Sequence, residues 1–281
     1  MKRYAKIILF IYLMVLMTGI SGQTVFAEQN TNIEKNGVYL TRWQSEDVKG
    51  KIVLSGTTGN EKIKIMVKKD DYQQWYDVNI VDDSFEEEIW LTEGKGNYTV
   101  TIMVHKEGRK YSVGPSINVN NIEETNKYLV STKHVESSNA EIIKLSDKIV
   151  EGKNTDREKA KAIYDWVSEN IQYDYVKFNK HQNGDYDNKY GALNTLKEKK
   201  GVCYDYSTLT AALGRAAGLQ VKIIKGQAIT SKYSGSHAWN EIYISEEGKW
   251  INLDTTFGST SLESNFDDMD FEGNHIKESE Y

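Results

Sequence analysis

Gly201-Val202-Cys203-Tyr204-Asp205-Tyr206-Ser207, continuing as Thr208-Leu209-Thr210-Ala211-Ala212-Leu213-Gly214-Arg215-Ala216-Ala217-Gly218-Leu219, is the stretch that decides how this chain is read. Leu209, Ala212, Leu213 and Ala216 recur at helical spacing, and Gly218 supplies a stop. Cys203 therefore stands in the first turn of a helix. Unpaired backbone N–H groups there favour an anion, here a thiolate, and offer donors to a developing oxyanion. A small apolar residue packed beneath a helix is the commoner fate of a free cysteine, and on position alone both readings stand. Cys203 is the one cysteine of the chain, which excludes an intramolecular disulfide framework and every CxxC-based zinc or redox site.

Two runs downstream tilt the balance. Val221 to Gly226 reads as a strand. Ser236-His237-Ala238-Trp239-Asn240-Glu241-Ile242-Tyr243-Ile244 and Lys249-Trp250-Ile251-Asn252-Leu253-Asp254 flank the turn Ser245-Glu246-Glu247-Gly248. With those four residues as the hairpin loop, Ile244 pairs with Lys249 and Trp239 with Asp254. His237 then shares a face with Asp254 as its diagonal neighbour, roughly 7–8 Å away by backbone and within reach of side chains. A carboxylate there holds the imidazole's tautomer and stabilises its charged form. Thiol, imidazole and carboxylate together supply nucleophile, base and orienter. Taken singly, His237 reads equally as a core histidine and Asp254 as a turn or cap residue.

Three separated blocks, GVCYDYSTLTAALGRAAGL, HAWNEIYI and KWINLDTTF, resemble in order those of the transglutaminase-like superfamily, over about 125 residues from Asp156 to the chain end. The resemblance implies a papain-like fold, a cysteine-bearing helix packed on an antiparallel sheet. It implies Cys203 as nucleophile, His237 as base, Asp254 as orienting acid, and Trp239 as a shelter for the His–Asp pair. It further implies a thioester formed from a peptide or glutamine carboxamide. The acyl group passes to water (peptidase or deamidase) or to an amine (crosslinking), with hydrolysis favoured by analogy to bacterial members. A catalytically silent adhesion or scaffold module of the same fold is the alternative. Tyr204 departs from the small residue that members often carry after the cysteine, and so bears on the width of the cleft. For the second oxyanion donor or for substrate positioning, Tyr173 leads Gln172 and Asn194, because Ile171-Gln172-Tyr173-Asp174 resembles a recurrent bacterial segment. The tail Asn265-Phe266-Asp267-Asp268-Met269-Asp270-Phe271, followed by His275, resembles the end of bacterial members, so the chain is expected to be complete or nearly so.

Working outward, the helical period extends upstream. Ile142, Ile143, Leu145 and Ile149 lie at helical spacing within Ala140 to Val150. Thr155 with Glu158 forms a capping-box pattern ahead of a stripe of Ala160, Ile163, Tyr164, Trp166 and Val167. Lys177 to Lys189 reads as an exposed polar loop, and Ala192, Leu193 and Leu196 as a short helix. Before residue 120 the pattern is different. VYLTRW, KIVLSG, KIKIMVKK, WYDVNI, FEEEIWL, YTVTIMV and SINV give seven candidate strands in about 80 residues, the spacing of a β-sandwich of immunoglobulin-like size. Trp43, Trp75 and Trp90 suit its core better than a sugar-stacking face, and Glu86-Glu87-Glu88 a solvated strand face. The expected class is α+β: a sandwich domain over 28–119 and a catalytic domain over 120–281.

Residues 1–27 carry Lys2, Arg3 and Lys6, an apolar run from Ile7 to Leu16, and Val25-Phe26-Ala27, the pattern of a cleaved signal peptide. A membrane tether follows only if that segment stays attached. Removing it leaves 32 basic against 41 acidic residues, about −9, which argues against nucleic-acid binding. The expected setting is secreted or cell-surface, with an extracellular or cell-wall protein or peptide as substrate. No cofactor and no metal is expected. Asp268-x-Asp270-x-Glu272-Gly273 resembles a calcium-loop opening, but Ser279 takes the place of the bidentate twelfth residue. For zinc, Cys203 and His237 lack a third soft ligand, with His105, His134, His181 and His275 scattered along the chain.

Overall fold

The computed structural model describes residues 33–44, 46–260 and 266–281. The signal segment read over 1–27, and Asn265 of the tail, lie outside them.

Nine strands come first: β1 (Ile33–Lys35), β2 (Val38–Arg42), β3 (Asp47–Val48), β4 (Lys51–Thr58), β5 (Ile63–Lys69), β6 (Tyr72–Asp77), β7 (Ser84–Trp90), β8 (Gly96–His105) and β9 (Tyr111–Asn121). They form a four-stranded sheet in the order β1-β2-β4-β7 and a five-stranded sheet in the order β3-β9-β8-β5-β6. Alternation explains both. Ile63, Ile65 and Val67 turn inward while Lys64, Met66 and Lys68 do not. Leu40, Ile52, Leu54 and Ile89 of the first sheet share one apolar core with Ile65, Val100 and Ile102 of the second, each contributing about 1.5–3 kcal/mol on burial. All seven strands read from sequence form, with β1 and β3 added. β6 stops at Asp77 instead of running to Ile80, because the Asn79 N–H donates to Glu87 Oε1 as the chain turns towards β7.

Of the three tryptophans, only Trp43 is fully in the core, 8% exposed. Trp75 is half-buried with its ring 5.5 Å from Tyr111, and Trp90 is half-buried with the Lys51 ammonium 5.1 Å from its centre. Glu86 and Glu88 do face solvent, on β7 at a sheet edge, where charge discourages pairing with another chain.

The later residues form α1 (Ala140–Val150), α2 (Asp156–Asn170), β10 (Gln172–Tyr173), α3 (Tyr175–Gln182), α4 (Ala192–Glu198), β11 (Lys200–Gly201), α5 (Cys203–Ala216), β12 (Val221–Ile229), β13 (Ser234–Ile244), β14 (Lys249–Leu253), α6 (Thr255–Thr260), α7 (Phe271–Asn274) and β15 (His275–Glu280). The Thr155–Glu158 capping box starts α2. β12 to β15 make an antiparallel sheet in the order β14-β13-β12-β15. Helix α5 is the centre. Every residue from Asp205 to Arg215 is buried, so its apolar stripe is only one of several packed faces, as expected of a helix enclosed on all sides. Asn240 Nδ2 ties it to the sheet by donating to the carbonyls of Ser207 and Lys222.

The polar run from Lys177 is not a simple exposed loop. Asp174 caps α3 by accepting from the Lys177 N–H, and the Lys177 side chain turns inward. Among the described residues no helix is long and apolar enough to cross a membrane.

Candidate active site

Cys203 is the first residue of α5 and is half-buried. Its position is held from below. Asp205 Oδ2 accepts from the Val202 N–H at 2.9 Å, and both Asp205 oxygens accept from Lys177 Nζ at 3.0 and 2.8 Å. Burial raises the Asp205 carboxyl above its ordinary value, against the pull of Lys177 and the Val202 N–H. Lys177 also donates to the Lys189 carbonyl at 2.7 Å and lies 4.1 Å from the centre of the Tyr190 ring. Gly201 makes this approach possible, since a Cβ there would lie 2.4 Å from Asp205 Cβ. The start of the helix is thus bolted to α3 and the segment after it.

His237 and Asp254 meet as the hairpin register requires. Ile244 pairs with Lys249 and Asn240 with Leu253, which brings Trp239 opposite Asp254. His237 Nε2 lies 2.6 Å from Asp254 Oδ2, and both groups are buried. That commitment leaves Nδ1 as the free ring nitrogen, and Cys203 is near enough to act on the protonation of the ring. Burial opposes charge on the His237 ring, yet the Asp254 carboxylate and the neighbouring thiol outweigh it, so the imidazole is held well above its ordinary value. For Asp254, burial would raise the carboxyl. His237, His275 and the Phe257 N–H hold it well below the usual range instead.

Asp254 is both cap and partner. Its Oδ1 accepts from the N–H groups of Thr256 and Phe257 at 2.9 and 3.0 Å at the start of α6, while Oδ2 faces the imidazole. Capping holds Oδ1, and Oδ2 is left to orient the ring.

The other residues singled out in the sequence fall in different places. Trp239, 2% exposed, stacks near His237 at 6.3 Å between ring centres, and its Nε1–H has no hydrogen-bond partner. Tyr173 pairs with Gly201 across the short parallel β10–β11 contact. Burial first, then the Cys203 nearby, hold its phenol protonated far above the ordinary value. Tyr204 turns elsewhere, its hydroxyl 3.2 Å from His134 Nδ1, its ring 6.1 Å from Tyr190 and 4.8 Å from the Lys225 ammonium.

Three residues join the site that the sequence pattern does not assign to it. Phe257 stacks on His237 at 4.5 Å and 21°, and is visible in the sequence as the last residue of the KWINLDTTF block. Tyr233 lies 5.9 Å from His237, its phenol pushed up to about 12 by burial and by Cys203 and Asp254; no local pattern marks it. His275 corrects the view that the remaining histidines are scattered. Its Nε2 lies 3.2 Å from the same Asp254 oxygen.

His237, Asp254 and His275 are the one group of this kind among the described residues close enough to be tested as a metal centre, all ligand atoms lying within 4.8 Å. The 2.6 Å contact between His237 and Asp254 is a charge-assisted hydrogen bond. Two ligands set tetrahedrally about zinc at ~2.0–2.1 Å stand about 3.3 Å apart, so this pair does not fit. The acidic tail does not form an EF-hand loop: 271–274 is helical, His275 is buried, and 275–280 is a strand.

The core is thus a helix starting at Cys203 and packed on the sheet that carries His237, with Asp254 just past the end of β14. Residues 143–255 match the family model of the transglutaminase-like superfamily, and it is this core that is similar to the family. Human kyphoscoliosis peptidase is 29% identical over 114 residues, covering 38% of this chain and 16% of that protein. The UPF0252 protein of Methanocaldococcus jannaschii is 50% identical over 50 residues, covering 17% of this chain and 14% of that one. The chain thus spans about one sixth of the length of these curated relatives. Among solved structures, red sea bream transglutaminase is similar at a TM-score of 0.35 and 11% identity, over 79% of this chain and 51% of its own. A candidate cysteine protease from Cytophaga hutchinsonii is similar at 0.40 and 17%, over 89% and 81%.

Proposed function

We propose that the protein is a secreted thiol acyl-transfer enzyme acting on peptide or glutamine carboxamides. Cys203 Sγ attacks the carboxamide carbon, the C–N bond breaks, and the amine leaves with a proton from His237. Water or a second amine then displaces the thioester, His237 taking the proton of the incoming nucleophile. Asp254 holds His237 with Nδ1 towards sulfur. The Cys203 N–H at the start of α5 is one oxyanion donor, and the Tyr173 hydroxyl, kept protonated, is a second polar donor at the cleft. Trp239 and Phe257 keep water from the His237–Asp254 bond. The strands before residue 120 form a separate sandwich domain of immunoglobulin-like size, which presents or spaces the catalytic domain over 120–281.

One observation carries this reading: the lone cysteine opens a helix, and near it an imidazole is bonded through Nε2 to a buried, capped carboxylate. Hydrolysis leads over crosslinking by analogy with the peptidase relative. The test is incubation with a peptide library, with and without a primary amine, while trapping acyl adducts on Cys203 by mass spectrometry. Hydrolysed products with a Cys203 adduct are expected. Amine-linked products would reassign the acceptor, and no adduct, together with slow alkylation independent of His237, would return the domain to a scaffold.

A further inference from the structure

His275 is the buried titratable group that the chemistry above does not use. It opens β15 directly after α7, pairs by backbone with Ala228 of β12, and is 5% exposed. Its ring is fixed on several sides. It stacks on Phe271 at 3.8 Å and 12°, meets Trp239 edge-on at 4.9 Å, and lies 5.5 Å from Phe257. Nδ1 stands 3.2 Å from the Phe271 carbonyl and Nε2 3.2 Å from Asp254 Oδ2. The titratable groups facing it are Asp254 and His237, whose ring centre is 5.8 Å away.

Four contacts therefore converge on one buried carboxylate: two backbone N–H groups on Oδ1 and two imidazoles on Oδ2. A carboxylate with one oxygen capped can still tilt its other oxygen away from a single partner. A second donor on that oxygen, coming from a different strand, removes this freedom. It also draws off part of the charge that would otherwise act on His237 alone.

We propose that His275 is a positioning residue of the thiol site, donating from Nε2–H to Asp254 Oδ2 so that this oxygen stays aligned with His237 and its negative charge is shared between the two rings. The inference rests on the thiol-enzyme reading. The sharing has a direction. Asp254 holds the charged form of His237, so a carboxylate relieved of its second donor holds that form more strongly, and His237 releases its proton less readily to a leaving amine.

The experiment combines ring-¹⁵N NMR of histidine with the rate of Cys203 alkylation by iodoacetamide, on the full chain. In the unsubstituted protein a proton is expected on His275 Nε2, whatever Nδ1 carries beside the Phe271 carbonyl, and a spectrum with Nε2 unprotonated overturns the proposal without any variant. His275→Phe keeps the stacking surface and removes the donor. Its titration midpoint for His237 is expected to move up, and its alkylation rate near neutral pH to rise with it, because a more firmly held imidazolium favours the Cys203 thiolate. His275→Gln restores an N–H donor and is expected to bring both readouts back towards the unsubstituted values. An unchanged midpoint and rate in His275→Phe overturn the proposal. If that variant does not fold, the Nε2 assignment and the two readouts in His275→Gln decide. Slow alkylation of the unsubstituted protein, equal to that of His237→Ala, sinks the thiol-enzyme reading itself and is read separately.

Discussion

The paired sheets before residue 122 and the helix-and-sheet core after residue 139 bury comparable apolar cores, but they treat polar groups differently. Among the described residues, the buried polar side chains of the first region are Thr58, Thr101 and Asn121, none of them ionisable. The second buries Lys177, Asp205, Arg215, His237, Asp254 and His275. Each of these six has hydrogen-bond partners: Lys177 with Asp205, Arg215 with the carbonyls of Val130 and Val221, and both histidines with Asp254. Burying ionisable groups is expensive unless they are paired, and a core can reach the same burial with apolar residues alone, as the first region does. The cost is concentrated where a thiol and an imidazole are held in register. Perturbed, partnered ionisable groups gathered near one thiol are the pattern that singles out a candidate site.

The sharpest way to break this contrast is to remove the shared carboxylate. Asp254→Ala leaves two buried imidazoles and two helix N–H groups without their acceptor. It is expected to destabilise the C-terminal region by about 3–5 kcal/mol and to slow Cys203 alkylation to the level of His237→Ala, measured by denaturant unfolding and by iodoacetamide labelling. Lys177→Met, which strands Asp205 beneath the cysteine, is expected to cost a comparable ~3–5 kcal/mol. Adding Asp205→Leu should recover part of that loss, and a double variant no more stable than the single one would show that the pair does not act as a unit.

In the sheet region the same logic predicts a cost without a functional echo. Ile65→Ala, at a fully buried position, should cost about 2–5 kcal/mol and leave the alkylation rate of the folded protein unchanged. A changed rate would couple the two regions.

Acidity separates them again. Asp254 is held below its ordinary 3.8, so its contribution is complete above that value and is lost as pH falls through the depressed one. His237 is held above its ordinary 6.5, so its contribution is full below 6.5 and is lost as pH rises through the raised value. The thermal midpoint of the C-terminal region should therefore be highest between 3.8 and 6.5 as far as this pair is concerned. Asp254→Asn should flatten both limbs, and a midpoint that keeps its full pH dependence in that variant would remove the pair from the account. The smallest effect is expected at the sheet edge, where Glu86→Gln should change stability by less than about 0.5 kcal/mol, whatever it does to solubility.

Much of the site is legible in the sequence, and the reasons are local. Helical spacing after Cys203 and a stop at Gly218 place a thiol at a helix start. A four-residue turn sets the register of β13 and β14, and register alone puts His237 and Asp254 on one face. Thr155 and Glu158 announce α2 by a contact spanning three residues. The run Lys177–Lys189 misleads as a loop for a long-range reason. A lysine in a polar run looks solvated, and only Asp205, 28 residues away, draws it inward. Gly226 is a similar case. It looks like an ordinary strand glycine, yet a Cβ there would lie 2.0 Å from the Ile276 carbonyl oxygen and 2.9 Å from the Trp239 ring.

By itself, then, the sequence determined the parts whose partners are set by short periods and tight turns: the strand-rich start, the helix under the thiol, and the hairpin that pairs imidazole with carboxylate. Tertiary structure decided what arrives from a distance. β15 pairs with β12 rather than with a neighbour in sequence, and this strand order carries His275 to Asp254, 21 residues back along the chain. No periodicity encodes such a pairing. It follows from which sheet edge is open when the core closes, and that is a property of the packed whole.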